Sequence, residues 1–132
     1  MNKDYMVFIT HILESMEKIK SFCGEISKEE FFKDEKLQEA VIRKLEIIGE
    51  AVKNLPNNLK KKYLHIEWMK IAGMRDKLIH HYFGINLGIV WDVIKEDLPK
   101  LKENIENILV EEKKTENKED KKKNNKNKKN VQ

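Results

Sequence analysis

A single cysteine in 132 residues, Cys23, leaves no partner for an intrachain disulfide and no CxxC pair for a metal site. Placed near the end of a helical pattern, it reads as a small buried apolar residue. No apolar run approaches the ~20 residues that span a bilayer. The start of the chain, with charges at Lys3 and Asp4, carries no cleavable signal pattern. These absences predict a cytoplasmic protein with no membrane partner. The two prolines and five glycines fall mostly between apolar-periodic segments, no strand alternation occurs, and no repeat is visible. The class this leaves is all-α.

Charge is abundant but unevenly placed. Residues 111–132 carry nine lysines against five acids, a net of +4, whereas residues 1–110 carry 18 basic and 18 acidic side chains and are neutral. The basic pI of about 9.0 therefore belongs to the end of the chain. From Glu111 onward no large apolar residue appears until Val131. Such a segment cannot bury enough surface to offset its ordering entropy, so the composition predicts a helical domain over 1–110 and a disordered Lys/Asn-rich tail over 111–132. A core built from about 110 residues is modest, and self-association would help it.

Within 4–23, Tyr5, Ile9, Ile12, Met16, Ile19 and Cys23 recur at spacings of three and four, and Phe8, Leu13 and Phe22 widen the stripe. Gly24 can stop this helix. Ser27 with Glu30 has capping-box form, which predicts a short helix through Phe31 and Phe32, and Asp34 can cap the next one. Over 35–55 the stripe is Leu37, Val41, Leu45, Ile48, Val52 and Leu55, thickened by Ala40, Ile47 and Ala51 and ended by Pro56-Asn57-Asn58. Arg43, Glu46 and Glu50 share nearly one face, either as a solvated surface or as the rim of a cleft. The run Lys60-Lys61-Lys62 before Tyr63 reads as a solvated loop or as a weak RNA-binding patch. From 66 to 79 helical spacing returns through Ile66, Met69 and Leu78, with Gly73 either breaking the helix or permitting a close approach. Asn86 can cap a last segment in which Leu87, Val90, Ile94, Leu98, Leu101, Ile105 and Ile108 stay in phase across Pro99. One kinked helix, or two coaxial ones with Asp97 capping the second, satisfies this pattern. The whole predicts an up-and-down bundle of four to five helices.

Between Arg75 and Tyr82 the chain concentrates a guanidinium, a carboxylate, two imidazoles and a phenol. Asp76 and His80, at i and i+4, can meet on one helix face. A carboxylate holding one imidazole nitrogen leaves the other for proton transfer. Arginine's planar fork suits phosphate. Arg75 and His80 are five residues apart, about 140° round an ideal helix, so one regular helix does not aim both at one small target. A two-fold dimer placing two copies across one cleft relieves that difficulty and supplies a second imidazole. The plainer alternative is a helix end whose charges suit the macrodipole. His80-His81 is a poor metal pair, since adjacent helical residues diverge by about 100°.

Arg75, His80 and Tyr82 in the order R-x4-H-x-Y resemble the motif of the HepT-like toxins of the HEPN superfamily, small helical RNases and nucleotide-associated domains. The likeness extends to Arg43-Lys44-Leu45-Glu46-Ile47-Ile48-Gly49-Glu50-Ala51-Val52-Lys53, to Trp68 and Ile71 through Arg75, to Phe83-Gly84-Ile85, to Ile89-Val90-Trp91 and to Asp97-Leu98-Pro99. It covers residues 4–110, is strongest over 43–101, and leaves out the tail.

The resemblance implies a HEPN-type bundle that forms a homodimer, with the two motifs facing a shared cleft. It implies a metal-independent endoribonuclease without a cofactor, cleaving tRNA or mRNA through Arg75 and His80, with Asp76 supporting. It further implies a type VII-like toxin–antitoxin pair. In such a pair a minimal nucleotidyltransferase (MNT-type) antitoxin uses ATP to place AMP on the motif tyrosine, here Tyr82. The alternative within the same resemblance is a non-catalytic HEPN subunit that docks a nucleotidyltransferase and binds RNA or nucleotide without cutting. His81 occupies a variable position of the motif and has no assignment.

Overall fold

The computed structural model describes residues 5–79 and 86–130, with side chains except those of Arg75, Lys77, Ile79 and residues 123–130. Among them the chain is helical throughout, with no strand: α1 (Tyr5–Cys23), α2 (Lys28–Lys33), α3 (Glu35–Lys53), α4 (Asn57–Lys62), α5 (Trp68–Ala72), α6 (Met74–Ile79), α7 (Leu87–Asp92), a π-helical turn (Val93–Asp97) and α8 (Leu98–Asn130). No helix of the described residues is long and apolar enough to cross a membrane.

Helix ends follow local chemistry. Gly24 stops α1 in the left-handed region at φ 51°, which glycine enters without a Cβ penalty, and its N–H donates to the Lys20 carbonyl at 2.9 Å. The Ser27 hydroxyl accepts from the Glu30 N–H (3.1 Å), the Asp34 carboxylate from the Leu37 N–H (3.1 Å) and the Asn86 side chain from the Ile89 N–H (3.2 Å). Each satisfies a first-turn donor that has no partner inside its own helix.

α3 is the hub, in contact with α1, α2, α5 and α6. Its buried face is accordingly wider than one stripe: Ile42 and Gly49 join Val41, Leu45, Ile48, Ala51 and Val52. On α1 the stripe from Tyr5 to Cys23 is buried with Ser15 added, while Phe22, expected to widen it, is exposed. α2 is clamped between two elements. The Gln38 amide of α3 donates to the Phe31 and Phe32 carbonyls (2.9 and 3.1 Å), and the fully buried Phe31 ring stacks 5.6 Å from Trp91 of α7.

Three elements depart from the expected pattern. Lys60-Lys61-Lys62 forms the last turn of α4 instead of a loop, and positive charge there complements the carbonyl end of the helix dipole. Met69 is 90% exposed and Trp68 takes the buried position, because α5 starts only at Trp68, whose indole N–H is held by the Tyr63 and Lys60 carbonyls at 3.0 and 3.2 Å. The chain breaks at Gly73, where a Cβ would lie 3.1 Å from the Met69 carbonyl oxygen. The third departure is the π-helical turn before Pro99. Helical backbone continues through Leu98, whose N–H donates to the Val93 carbonyl five residues back, so Asp97 begins no new helix, and the wider turn directly precedes Pro99, which has no N–H to give to the ladder. The buried residues Val93 and Leu98 are five apart, a spacing that the wider π turn keeps on one side.

The chain divides into two compact units, Met1–Lys102 and Glu103–Gln132. In the second unit Ile105, Ile108 and Glu112 are buried, and α8 runs on to Asn130 where composition predicts disorder. A lack of apolar side chains forbids a core but not a helix. Lysine and glutamate are good helix formers, and Lys114 pairs with Glu111 at 3.9 Å one turn away.

Candidate functional site

The first residues of the motif lie on α6, and packing decides how that helix sits. α6 lies against α3 and follows α5 directly. Met74 and Leu78, one turn apart, are 9% and 2% exposed and turn one face inward. Asp76 stands about 200° round the helix from Met74 and is exposed to solvent. The short helix therefore presents its carboxylate outward on two apolar anchors. Arg75 belongs to the backbone of α6, and its side chain lies outside those described, as do all of His80, His81 and Tyr82. The expected Asp76–His80 pairing falls with them.

The lysine run has a structural task as well. The Lys60 ammonium is half-buried and donates to the carbonyl of Lys53, the last residue of α3, at 3.3 Å; desolvation pushes its pKa below the ordinary 10.5. Lys62 lies 5.8 Å over the Tyr63 ring, and Lys61 is exposed. The run thus closes α3 and α4, with Lys61 and Lys62 at the surface.

Arg43, Glu46 and Glu50 do rim a cleft, about 320 Å³ in volume, completed by Phe8, His11 and Asn54. The Arg43 guanidinium bonds Glu46 at 3.3 Å, and the Asn54 amide donates to the Glu50 carbonyl at 2.8 Å. A second, wider groove of about 880 Å³ runs on from His11 past Glu14 and Lys18, with Lys44 and Ile47 on α3. His11 lines both and escaped the sequence reading, for a lone histidine on the polar side of an amphipathic helix carries no spacing signal. A cleft holding a guanidinium, an imidazole and two carboxylates can bind a polar ligand carrying both donors and acceptors. Among the described residues no three of histidine, cysteine, aspartate or glutamate converge to hold a metal ion.

Residues 12–108 match the family model described as Ribonuclease HepT-like, a span that takes in α3, α6 and the whole motif. The chain is 50% identical over 117 residues (89% of it) to a protein of Methanocaldococcus jannaschii named "Gamma-glutamylcyclotransferase and putative RNase", of whose length the match covers 53%. It is 50% identical over 107 residues to a "Putative RNase" of the same organism, covering 81% of this chain and 88% of that one. It is also 46% identical over 108 residues to a "Probable ribonuclease HepT" of Thermococcus cleftensis, covering 82% and 98%. No solved structure matches the chain. An all-helical chain whose Arg75-Asp76 helix is anchored on the central α3, matched over nearly three quarters of its length, belongs to the Ribonuclease HepT-like family of the HEPN superfamily.

Proposed function

We propose that this protein is a metal-independent endoribonuclease and the toxin half of a toxin–antitoxin pair, acting as a homodimer with the two motifs across one cleft. The observation that carries the reading is the family match spanning the R-x4-H-x-Y motif, together with relatives named as ribonucleases. The exposed carboxylate of Asp76, set outward by Met74 and Leu78, is consistent with it.

In this mechanism a neutral His80 takes the proton of a 2′-hydroxyl, and the 2′-oxygen attacks the adjacent phosphorus. The bond from phosphorus to the 5′-oxygen breaks, leaving a 2′,3′-cyclic phosphate. The departing 5′-oxygen takes a proton from the imidazolium of the second copy. Arg75 neutralises the charge developing on the phosphoryl oxygens, and Asp76 orients the imidazole. A minimal nucleotidyltransferase would then silence the site by transferring AMP from ATP to the Tyr82 hydroxyl, releasing pyrophosphate. The added phosphodiester brings negative charge and bulk two residues from His80, competing with substrate phosphate for Arg75.

Arg75→Ala and His80→Ala are each expected to lower RNA cleavage by about 10²–10⁴-fold with the dimer retained, read by gel assay on tRNA and mRNA and by size-exclusion chromatography. Undiminished cleavage by both variants would sink the ribonuclease reading. Binding of RNA by the unaltered chain without any cutting would point instead to a docking subunit. Incubation with ATP and the cognate nucleotidyltransferase is expected to add the mass of AMP to the wild type and not to Tyr82→Phe. A mass shift that survives in Tyr82→Phe would remove Tyr82 from the scheme.

A further inference from the structure

α8 continues past its apolar residues, and over residues 112–122 its charges are sorted by face. At about 100° per residue, Leu98, Leu101, Ile105 and Ile108 form one stripe, and Glu112, Glu116 and Glu119 carry the same stripe onward. Along this line Glu112 is buried, Glu116 half-buried and Glu119 exposed. Lys114, Lys118, Lys121 and Lys122 are all exposed and fall within an arc of about 100°, centred about 140° round from the stripe. Glu111 is the one acid at the start of that arc, and it pairs with Lys114 at 3.9 Å in an exposed contact of little strength. Lys113, also exposed, stands between the two faces. Aspartate and the other glutamates of 112–122 stay off the basic arc, which no shuffled polar tail would require.

We propose that the exposed lysine face of α8, Lys114, Lys118, Lys121 and Lys122, binds the phosphodiester backbone of RNA, holding substrate independently of its sequence. The inference rests on the ribonuclease reading for its biological purpose, though not for its test. Lys114 to Lys122 spans about 12 Å of helix, so the four ammonium groups form a line and not a point, which suits a strand. No apolar side chain lies in the arc, which disfavours insertion into a lipid surface, since interfacial helices bury an apolar face. Ammonium groups on flexible stems form point-charge contacts with phosphate, and each contact displaces counterions.

The experiment measures binding of the full-length protein to a fluorescent single-stranded 2′-O-methyl RNA 20-mer, which lacks the attacking hydroxyl and is not cut, across a salt series. Replacing Lys114, Lys118, Lys121 and Lys122 together by glutamine keeps helix propensity while removing four charges. The slope of log affinity against log salt is expected to become shallower by about 3, at about 0.7 per phosphate contact on a single strand. The same four changed to arginine should keep the slope, and Lys20, Lys28, Lys33 and Lys36 changed to glutamine, with equal loss of net charge, should leave it nearly unchanged. An unchanged slope in the first variant overturns the proposal, as does an equal loss in the second set, or no binding by the unaltered chain. Loss of binding to phosphatidylserine vesicles with RNA binding intact would overturn it in favour of a membrane face. Cleavage of unmodified RNA, read in parallel, tests the catalytic reading separately: a chain that never cuts can still pass or fail on the slope.

Discussion

Cys23 closes α1 at 3% exposure, and burial pushes its thiol above the ordinary value of 9.0, partly opposed by the charge of Lys95. A raised thiol favours the folded state only while it is neutral in both states. Stability from this group is fully present below pH 9.0 and is lost as pH climbs, because the unfolded chain ionises first. The urea midpoint of the wild type is expected to fall more steeply between pH 8 and pH 10 than that of Cys23→Ala. Equal pH slopes in the two proteins would remove the thiol from the account. Elsewhere single side chains split their neighbours' fates. Trp68 is buried because its indole N–H meets two carbonyls, and Met69, one residue on, projects into solvent. His11 illustrates the converse, a residue made interesting only by the cavities on either side of it.

At the scale of elements, the ends of helices are where local chemistry is strongest. Asp34 closes α2 with its backbone and opens α3 with its carboxylate, so Asp34→Ala removes the cap of the hub helix. A loss of about 1 kcal/mol is expected. Gly24→Ala forces a Cβ into the left-handed region and is expected to lose about 1–2 kcal/mol. Both should appear as lower urea midpoints at unchanged m-value, and no shift in either would contradict the assigned caps. These boundaries were legible from sequence because a cap needs only a few consecutive residues. The π-helical turn was not, for it reconciles Pro99 with burial of both Val93 and Leu98, a condition that exists only once something covers them. The break at Gly73 was legible as one of two outcomes, and the glycine closes α5 by donating its N–H to the Met69 carbonyl at 2.9 Å.

For the molecule as a whole, the proposed dimer makes folding and association inseparable. Residues 1–110 carry no net charge, so no long-range repulsion of that part opposes pairing of two copies. Its thermal midpoint is therefore expected to rise with protein concentration, since association adds to the stability of the folded form by mass action. A midpoint constant over a hundredfold range of concentration, with a monomer in sedimentation, would count against a dimeric site.

What the sequence by itself determined is whatever depends on neighbours in the chain. That includes the all-helical class, the caps at Ser27, Asp34 and Asn86, the stop at Gly24, the stripe of α1 and the residue types of the Arg75–Tyr82 motif. Tertiary structure alone decided that α3 is the hub, and hence that Ile42 and Gly49 are buried, that Arg43 and Glu50 rim a cleft with His11, and that Asp76 faces outward from two apolar anchors. The physical reason is range. Hydrogen-bond capping and helix periodicity act over three or four residues, whereas burial is a property of whichever distant segment happens to cover a surface.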